Sequence, residues 1–458
     1  MKKFTKILIC LMLCVFGISF VACDKRSDKE KNFTYPPKNA EVVGNGGLAV
    51  QKGNYVYFVN GYKSVADITN KKAKYNVGSL MLTKLDENGD VVKDEKDLMH
   101  DDYFIKMTSK LSGYEASNLY IYGEYLYFAS PCLENEKGDK VWAKERVIIH
   151  RIKLDKTGKV ETVYESGVKV ENLVYEYFET EDDLYILAWE KGESYYSKNG
   201  TDALVRIDAT SKSSKVVAKN VKSFAFDQST NNVFFVQKDE KFTLNKFDVA
   251  KNETSAYETK DDEFAVLAVA SDKVFITKTH NASAENKTVD VFASNIKTAT
   301  GFEMICSYAD GEKVYATTDG SAVIVVSAGV LRVVDVNNGD KFYVQDGAET
   351  IEIVGFVNGC VAYYATKDSA TKLKMVSYSN LIQNNSAEIV ELTEIAGSVY
   401  KFDIESDDNY IYFFNQEGSN VYLNRIKAQN NINEEKEMFG VYNDADIPEE
   451  EVETEEEE

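Results

Sequence analysis

One pattern recurs along this 458-residue chain and limits what it can fold into: a polar turn followed by a short run of aromatic and β-branched residues. It reads Asn54 then YVYFVN, Glu124 then YLYFAS, Asp183 then LYILAW, and Asn232 then VFFVQK. It continues with Lys273 then VFITKT, Gly320 then SAVIVV, Gly359 then CVAYYA, and Asn409 then YIYFFN. With Tyr57, Tyr127, Tyr185, Phe234, Phe275, Ile324, Ala362 and Tyr412 as markers, the spacings run from 38 to 70 residues and average about 51. Short strands repeating every ~40 to 50 residues mark a β-propeller, in which four-stranded sheets surround a central channel. The fold class expected is therefore all-β, a propeller of eight blades, with seven as the alternative because the tightest spacings are short for a blade. Much of the chain's Tyr and Phe, 29 and 24 residues, is building material of this repeat.

The third strand of the unit repeats most clearly: LMLTKLD from Leu80, VIIHRIKLD from Val147, ALVRID from Ala203, FTLNKFD from Phe242, VLRVVD from Val330 and VYLNRIK from Val421. Five of these six end in Asp, and turns such as Asp86-Glu-Asn-Gly89 and Asp155-Lys-Thr-Gly158 follow, with residues suited to tight hairpins. Asp86-x-Asn88-x-Asp90 resembles the start of a calcium loop, but Gly89 stands fourth where an EF-hand needs Gly sixth. The repetition points to a structural turn. Helical periodicity is absent except over Tyr103–Leu119, which could form one short helix or a folded insertion. For closing the ring, Glu41–Val43 could supply an outer strand to the blade at 399–427, with Glu437–Val441 as the rival.

The ends of the chain are of another kind. Lys2, Lys3 and Lys6 precede the apolar run from Ile7 to Ala22, which is short of the ~20 residues of a permanent span and reads as an export signal. Phe20-Val21-Ala22-Cys23 resembles the lipobox of bacterial lipoproteins, which implies cleavage before Cys23, diacylation of its thiol and a lipid anchor in the membrane. The expected organisation is a signal peptide over 1–22, lipidated Cys23 and a polar tether over 23–39, the β-propeller over 40–430, and an acidic, largely disordered tail over 431–458. Loss of 1–22 removes three positive charges and no negative one, taking the formal charge from −22 to −25. Eight glutamates in PEEEVETEEEE carry about a third of that excess. Acidity on this scale disfavours a nucleic-acid partner, since the protein's own field repels phosphate. Cys132, Cys306 and Cys360 lie in or beside apolar strand patterns and are expected to be buried thiols rather than disulfide partners.

Catalytic motifs are scarce. His100, His150 and His280 are isolated, as surface or turn histidines usually are, so neither a metal site nor a cofactor is expected. Gly44-x-Gly46-Gly47 precedes a strand rather than a helix and so lacks the helix terminus that binds phosphate. The informative feature is loop length. The second-to-third-strand loops Tyr62–Gly78, Pro131–Arg146 and Lys191–Asp202, with the crossing Val92–Asn118, elaborate one face of the first three units. Tyr62, Trp142, Trp189, Tyr195 and Tyr196 fall in or beside them, and such aromatics suit stacking on sugars or anchoring a peptide. The competing reading is that Trp189 ends a core strand and the loops cap the channel.

GNGGLAV from Gly44, YVYFVNGY from Tyr55, SKLSGYE from Ser109, LYIYGEYLYFASP from Leu119 and IHRIKLD from Ile149 together resemble the uncharacterised propeller domain of Gram-positive surface lipoproteins. That domain is described by analogy to low-density lipoprotein receptor propellers and is more distantly similar to TolB-type propellers. The resemblance is clearest over 44–165 and carries no catalytic residue. It implies a membrane-tethered, extracytoplasmic propeller. The expectation is a monomeric, non-catalytic binding or scaffold protein for an envelope protein, peptide or glycan. The alternative is a polysaccharide lyase or hydrolase on a propeller scaffold.

Overall fold

The computed structural model describes residues 35–62, 76–90, 92, 97–98, 104–107, 119–130, 132–134, 140–142, 146–155, 157–169, 173–193, 199–227, 230–280, 287–297, 301–395, 405–406, 410–417, 420–427 and 437–440. These residues form a β-propeller of antiparallel sheets. Seven segments each make a four-stranded sheet: blade I (120–169), II (173–218), III (221–260), IV (265–309), V (313–345), VI (350–395) and VII (405–440). A six-stranded sheet over 42–107 precedes them. Seven, the alternative count, is thus the number of four-stranded blades, and the remaining repeat unit is the larger N-terminal sheet. It is larger because the crossing beyond Val92 adds strands Asp97–Leu98 and Phe104–Met107, both paired with Asn76–Lys84. Phe104–Met107 is therefore a strand, which corrects the short-helix expectation and fits the alternative of a folded insertion, its FIKM run extending the sheet edge.

Each second strand is buried on both faces, which explains its continuous apolar run. In blade I, Leu126 and Phe128 pack against the N-terminal sheet, while Tyr127 and Ala129 pack against blade II. In blade II, Ile186 and Ala188 face back to blade I, and Tyr185 and Leu187 face on to blade III. Val233 and Phe235 of blade III face II, and Phe234 and Val236 face IV. The period of two along a strand thus becomes alternation between neighbouring blades. Fourth strands such as Glu253–Lys260 are mostly exposed and form the outer wall.

The Asp that ends most third strands caps its own turn. Asp86 Oδ1 accepts from the N–H of Asn88 and Asp90 at 2.8 and 3.0 Å. Asp155 accepts from Thr157 N–H, Asp208 from Thr210 and Ser211, Asp248 from Lys251, and Asp335 from Asn337. Asn295 does the same in blade IV, accepting from Lys297 N–H at 2.9 Å. In blade VI the position is Ser377, whose hydroxyl accepts from Asn380 N–H and starts helix α1 (Tyr378–Asn384) instead of a tight turn. These carboxylates serve their own backbone, as the structural reading of the repeat requires.

The ring closes by packing between complete sheets. Val42–Val43 pairs with Ala49–Lys52 of its own sheet and not, as one expectation had it, with the last blade. The outer strand of blade VII is the rival, Glu437–Gly440, so the propeller runs past residue 430 to Gly440. Tyr412 and Leu423 of blade VII share a core with Val56, Phe58 and Leu82 of the N-terminal sheet. A repeated latch accompanies this contact. Arg151 lies over the Tyr125 ring at 4.5 Å and donates to Ala209 O of the next blade at 2.9 Å. Arg206 lies over Tyr185 at 3.8 Å and donates to Val249 O at 2.8 Å. Arg425 lies over Tyr410 at 4.2 Å and donates to Gly89 O of the N-terminal sheet at 2.7 Å. The last latch has the form of the others, so the ring is joined by the device that joins its interior blades.

Candidate functional site

The first strand of each blade is innermost, and four such units frame a cavity of about 740 Å³ in the channel. Blade II contributes Glu176 from Leu173–Glu179, and blade III contributes Phe224, Ala225, Phe226 and Asp227 from Val221–Asp227. Blade IV supplies Leu267 to Ser271, and the first turn of blade V supplies Thr318 and Asp319. Asp227, Ser271 and Asp319 lie at the ends where first strands turn into second strands. The second strands end at Tyr62, Ser130 and Glu190, at the other end of the ring. The close fit here depends on Gly320, whose φ is +66° and where an added Cβ would stand 2.7 Å from Ala270 O of blade IV.

The walls are aromatic. Phe224 and Phe226 meet edge to face at 4.6 Å, and Phe226 lies 5.4 Å from Phe178. Trp189 packs edge-on to Phe224 at 5.1 Å, and Lys191 Nζ lies 4.7 Å from the Trp189 ring centre. Such edge contacts fix the rings in place beyond the effect of buried area alone.

The three carboxylates of the cavity differ in their surroundings. Asp319 accepts from Thr317 Oγ1 at 2.7 Å and from Ser321 N and Oγ at 3.1 and 2.9 Å. Burial works against its ionisation, but these hydrogen bonds outweigh it and hold the carboxyl below its ordinary value. Asp227 accepts from the Thr230 hydroxyl within its own turn. Glu176 stands between Tyr175 and Tyr177, and burial pushes its carboxyl up to about 7 against the lesser opposing effect of the Tyr177 N–H. Among the described residues no cation is paired with it. The cavity thus holds one strongly desolvated carboxyl and two that are fixed by their own turns.

The aromatics singled out from sequence sit differently. Trp189, next to last in Leu184–Glu190, is half-buried and packs against the core between blades II and III. Tyr62 ends the strand Tyr55–Tyr62 opposite Gly78, and Trp142 ends Lys140–Trp142 opposite Cys132, in a two-stranded hairpin within the 131–146 loop. All three positions belong to the second-to-third-strand end of successive sheets. Tyr195, Tyr196 and Cys23 lie outside the described residues. The base of the 191–202 loop is tied down: buried Glu190 accepts from Tyr164 Oη at 2.8 Å, Gly167 N at 2.6 Å and Asn199 Nδ2 at 2.8 Å.

Cys306 and Cys360 are buried thiols, as expected. His280 is exposed near Asp290, whereas His150 is fully buried beside Phe128 and Thr162 and corrects the expectation of a surface or turn histidine. It occupies an inward position of a third strand, where alternation overrides side-chain polarity. The lining residues Glu176, Phe224, Phe226 and Asp319 were not among the sequence candidates. A signal existed for the first, since LVYEYF places one Glu inside an otherwise apolar and aromatic strand.

No family model and no curated protein matches the chain. Among solved structures it is similar to the β-propeller domain of the Trilobed protease from Pyrococcus furiosus, described as having an open velcro topology. That similarity has 16% identity and a TM-score of 0.46, covering 71% of this chain and 95% of that one. It is also similar to oligopeptidase B from Trypanosoma brucei with covalently bound antipain, at 13% identity and a TM-score of 0.44, covering 72% of this chain and 49% of that one. A prolyl endopeptidase matches at 9% identity and a TM-score of 0.44, covering 71% of this chain and 50% of that one. The chain thus spans about half the length of these two peptidases.

Proposed function

We propose that this protein is a membrane-anchored extracytoplasmic lipoprotein, held by lipid on Cys23, whose propeller is a non-catalytic binding module for an envelope protein, peptide or glycan. The export signal, the lipobox-like segment and the resemblance to Gram-positive surface lipoprotein propellers support the location. The observation that carries the binding role is the channel cavity of about 740 Å³, walled by Phe224 and Phe226 and placed on rigid inner strands. Carboxylate catalysis on a glycan needs two carboxyl groups free to share acid and base work. In this cavity Asp227 and Asp319 are engaged by their own turns, which favours binding over cleavage.

The test is retention of envelope-derived peptide and glycan fragments on immobilised mature protein, compared with Ala268→Trp, which fills the cavity; thermal melting of both checks folding. A fraction held by the wild type and passed by the variant is expected, and it should elute chemically unchanged. Equal retention by both, or turnover of the fragments, would overturn the reading. Anchoring has a separate check: Cys23→Ala should abolish fatty-acid labelling and release the protein from membranes, whereas continued labelling would overturn the lipid site.

A further inference from the structure

We propose that the channel cavity takes a protonated amine carried on an apolar stem, with Glu176 receiving the ammonium and Phe224 and Phe226 flanking the stem. This rests on the binding role proposed for the cavity and names the chemistry of its ligand. Among the described residues of the lining every charged one is a carboxylate, and none is Lys, Arg or His. Anionic ligands therefore meet a field of the wrong sign. Neutral glycans need donors as well as acceptors, and above pH 7, where Glu176 is ionised, the described lining side chains offer only the hydroxyls of Ser271 and Thr318 as neutral donors. An ammonium group is matched on both counts. Its three N–H donors fit carboxylate acceptors, and ring faces within about 6 Å attract it further.

Glu176 stands apart from the other two carboxylates. Asp227 and Asp319 accept from their own turns and fix negative potential at the rim. Glu176 sits within the strand, on the face opposite its chain neighbours Tyr175 and Tyr177, which pack toward blade I, and has no paired cation among the described residues. An arriving ammonium would supply the countercharge, and Leu267 and Val269 extend the apolar surface for its stem. The amine has two possible sources, a free alkylamine or the lysine side chain of a peptide.

Calorimetric titration at pH 8 of the mature protein with n-hexylamine, n-hexanol and hexanoate tests this. A peptide with a blocked amino terminus and one central lysine, and the same peptide with that lysine acetylated, complete the set. Hexylammonium or the lysyl peptide is expected to bind at least about tenfold more tightly than its neutral counterpart, the scale of one charge-assisted hydrogen bond. Glu176→Gln, an isosteric change that relieves a desolvated carboxyl, is expected to erase that preference without lowering the melting temperature. Tighter binding of the peptide assigns the source to a polypeptide, and tighter binding of hexylamine assigns it to a free amine. Equal binding of charged and neutral probes, preference for hexanoate, or an unchanged preference in Glu176→Gln would overturn the proposal. If the probes fail while wild type and Ala268→Trp still differ in retaining envelope fragments, the amine assignment falls and the binding reading stands. If that difference is also absent, both fall.

Discussion

A carboxylate placed inside a strand between two tyrosines behaves unlike one placed at a turn, and Glu176 and Asp319 show the contrast within one cavity. Glu176 keeps its proton up to about pH 7 because burial disfavours the charge. In the unfolded chain it ionises near its ordinary value of 4.5. Between these values the folded protein holds a proton that the unfolded chain has released, so this residue makes stability fall as pH rises from 4.5 to 7 and level off above it. The fall is at most about 3.4 kcal/mol. Urea unfolding across this range should show the decline in wild type and its loss in Glu176→Gln; parallel curves would remove the desolvated carboxyl. At Gly320 the issue is shape. With φ at +66° and the Ala270 carbonyl close by, Gly320→Ala should destabilise by about 1 to 3 kcal/mol, read as a lower urea midpoint. The lone Glu of LVYEYF was a visible signal, but neither role could be assigned from the chain, because the cavity partners of Glu176 and the Ala270 carbonyl beside Gly320 come from other blades.

Elements were far more legible. Second strands could be read directly because Leu126, Tyr127, Phe128 and Ala129 bury both faces and leave no polar interruption. The third-strand Asp was legible as a turn former because an Asx turn is local and needs no distant partner. Closure was harder, since Val42–Val43 and Glu437–Gly440 are both short pieces and only three-dimensional pairing separates them. The Arg-Ile pairs at 151–152, 206–207 and 425–426 were in plain view, yet their partners lie across blade boundaries. Arg425→Met should lower stability by about 1.5 to 3 kcal/mol by removing a buried charged hydrogen bond to Gly89 O. Arg206→Met should cost about as much through the loss of its bond to Val249 O, because the two latches have the same form. A much larger loss for Arg425→Met in denaturant melts would mean that the closing contact depends on its latch more than the interior ones do. Buried Asp346 accepts from Tyr363 and Lys374, joining blades V and VI. Lys374→Met, which strands that carboxylate, should cost about 3 to 5 kcal/mol in the same melts.

At the scale of the molecule, acidity and architecture combine. A ring of sheets brings Glu176, Phe224, Ala268 and Asp319 together from four separate segments, and sequence spacing alone cannot foretell that meeting. Long loops drew attention to Tyr62, Trp142 and Trp189 at one end of the ring, whereas the rim acids of the cavity lie at the end where first strands turn into second. Hydrogen–deuterium exchange of the mature protein, with and without the envelope fraction it retains, separates the two ends directly. Added protection is expected over 224–227, 267–271 and 318–319. Protection confined to the segments around Tyr62, Trp142 and Trp189, with the inner strands unchanged, would contradict a binding site in the channel.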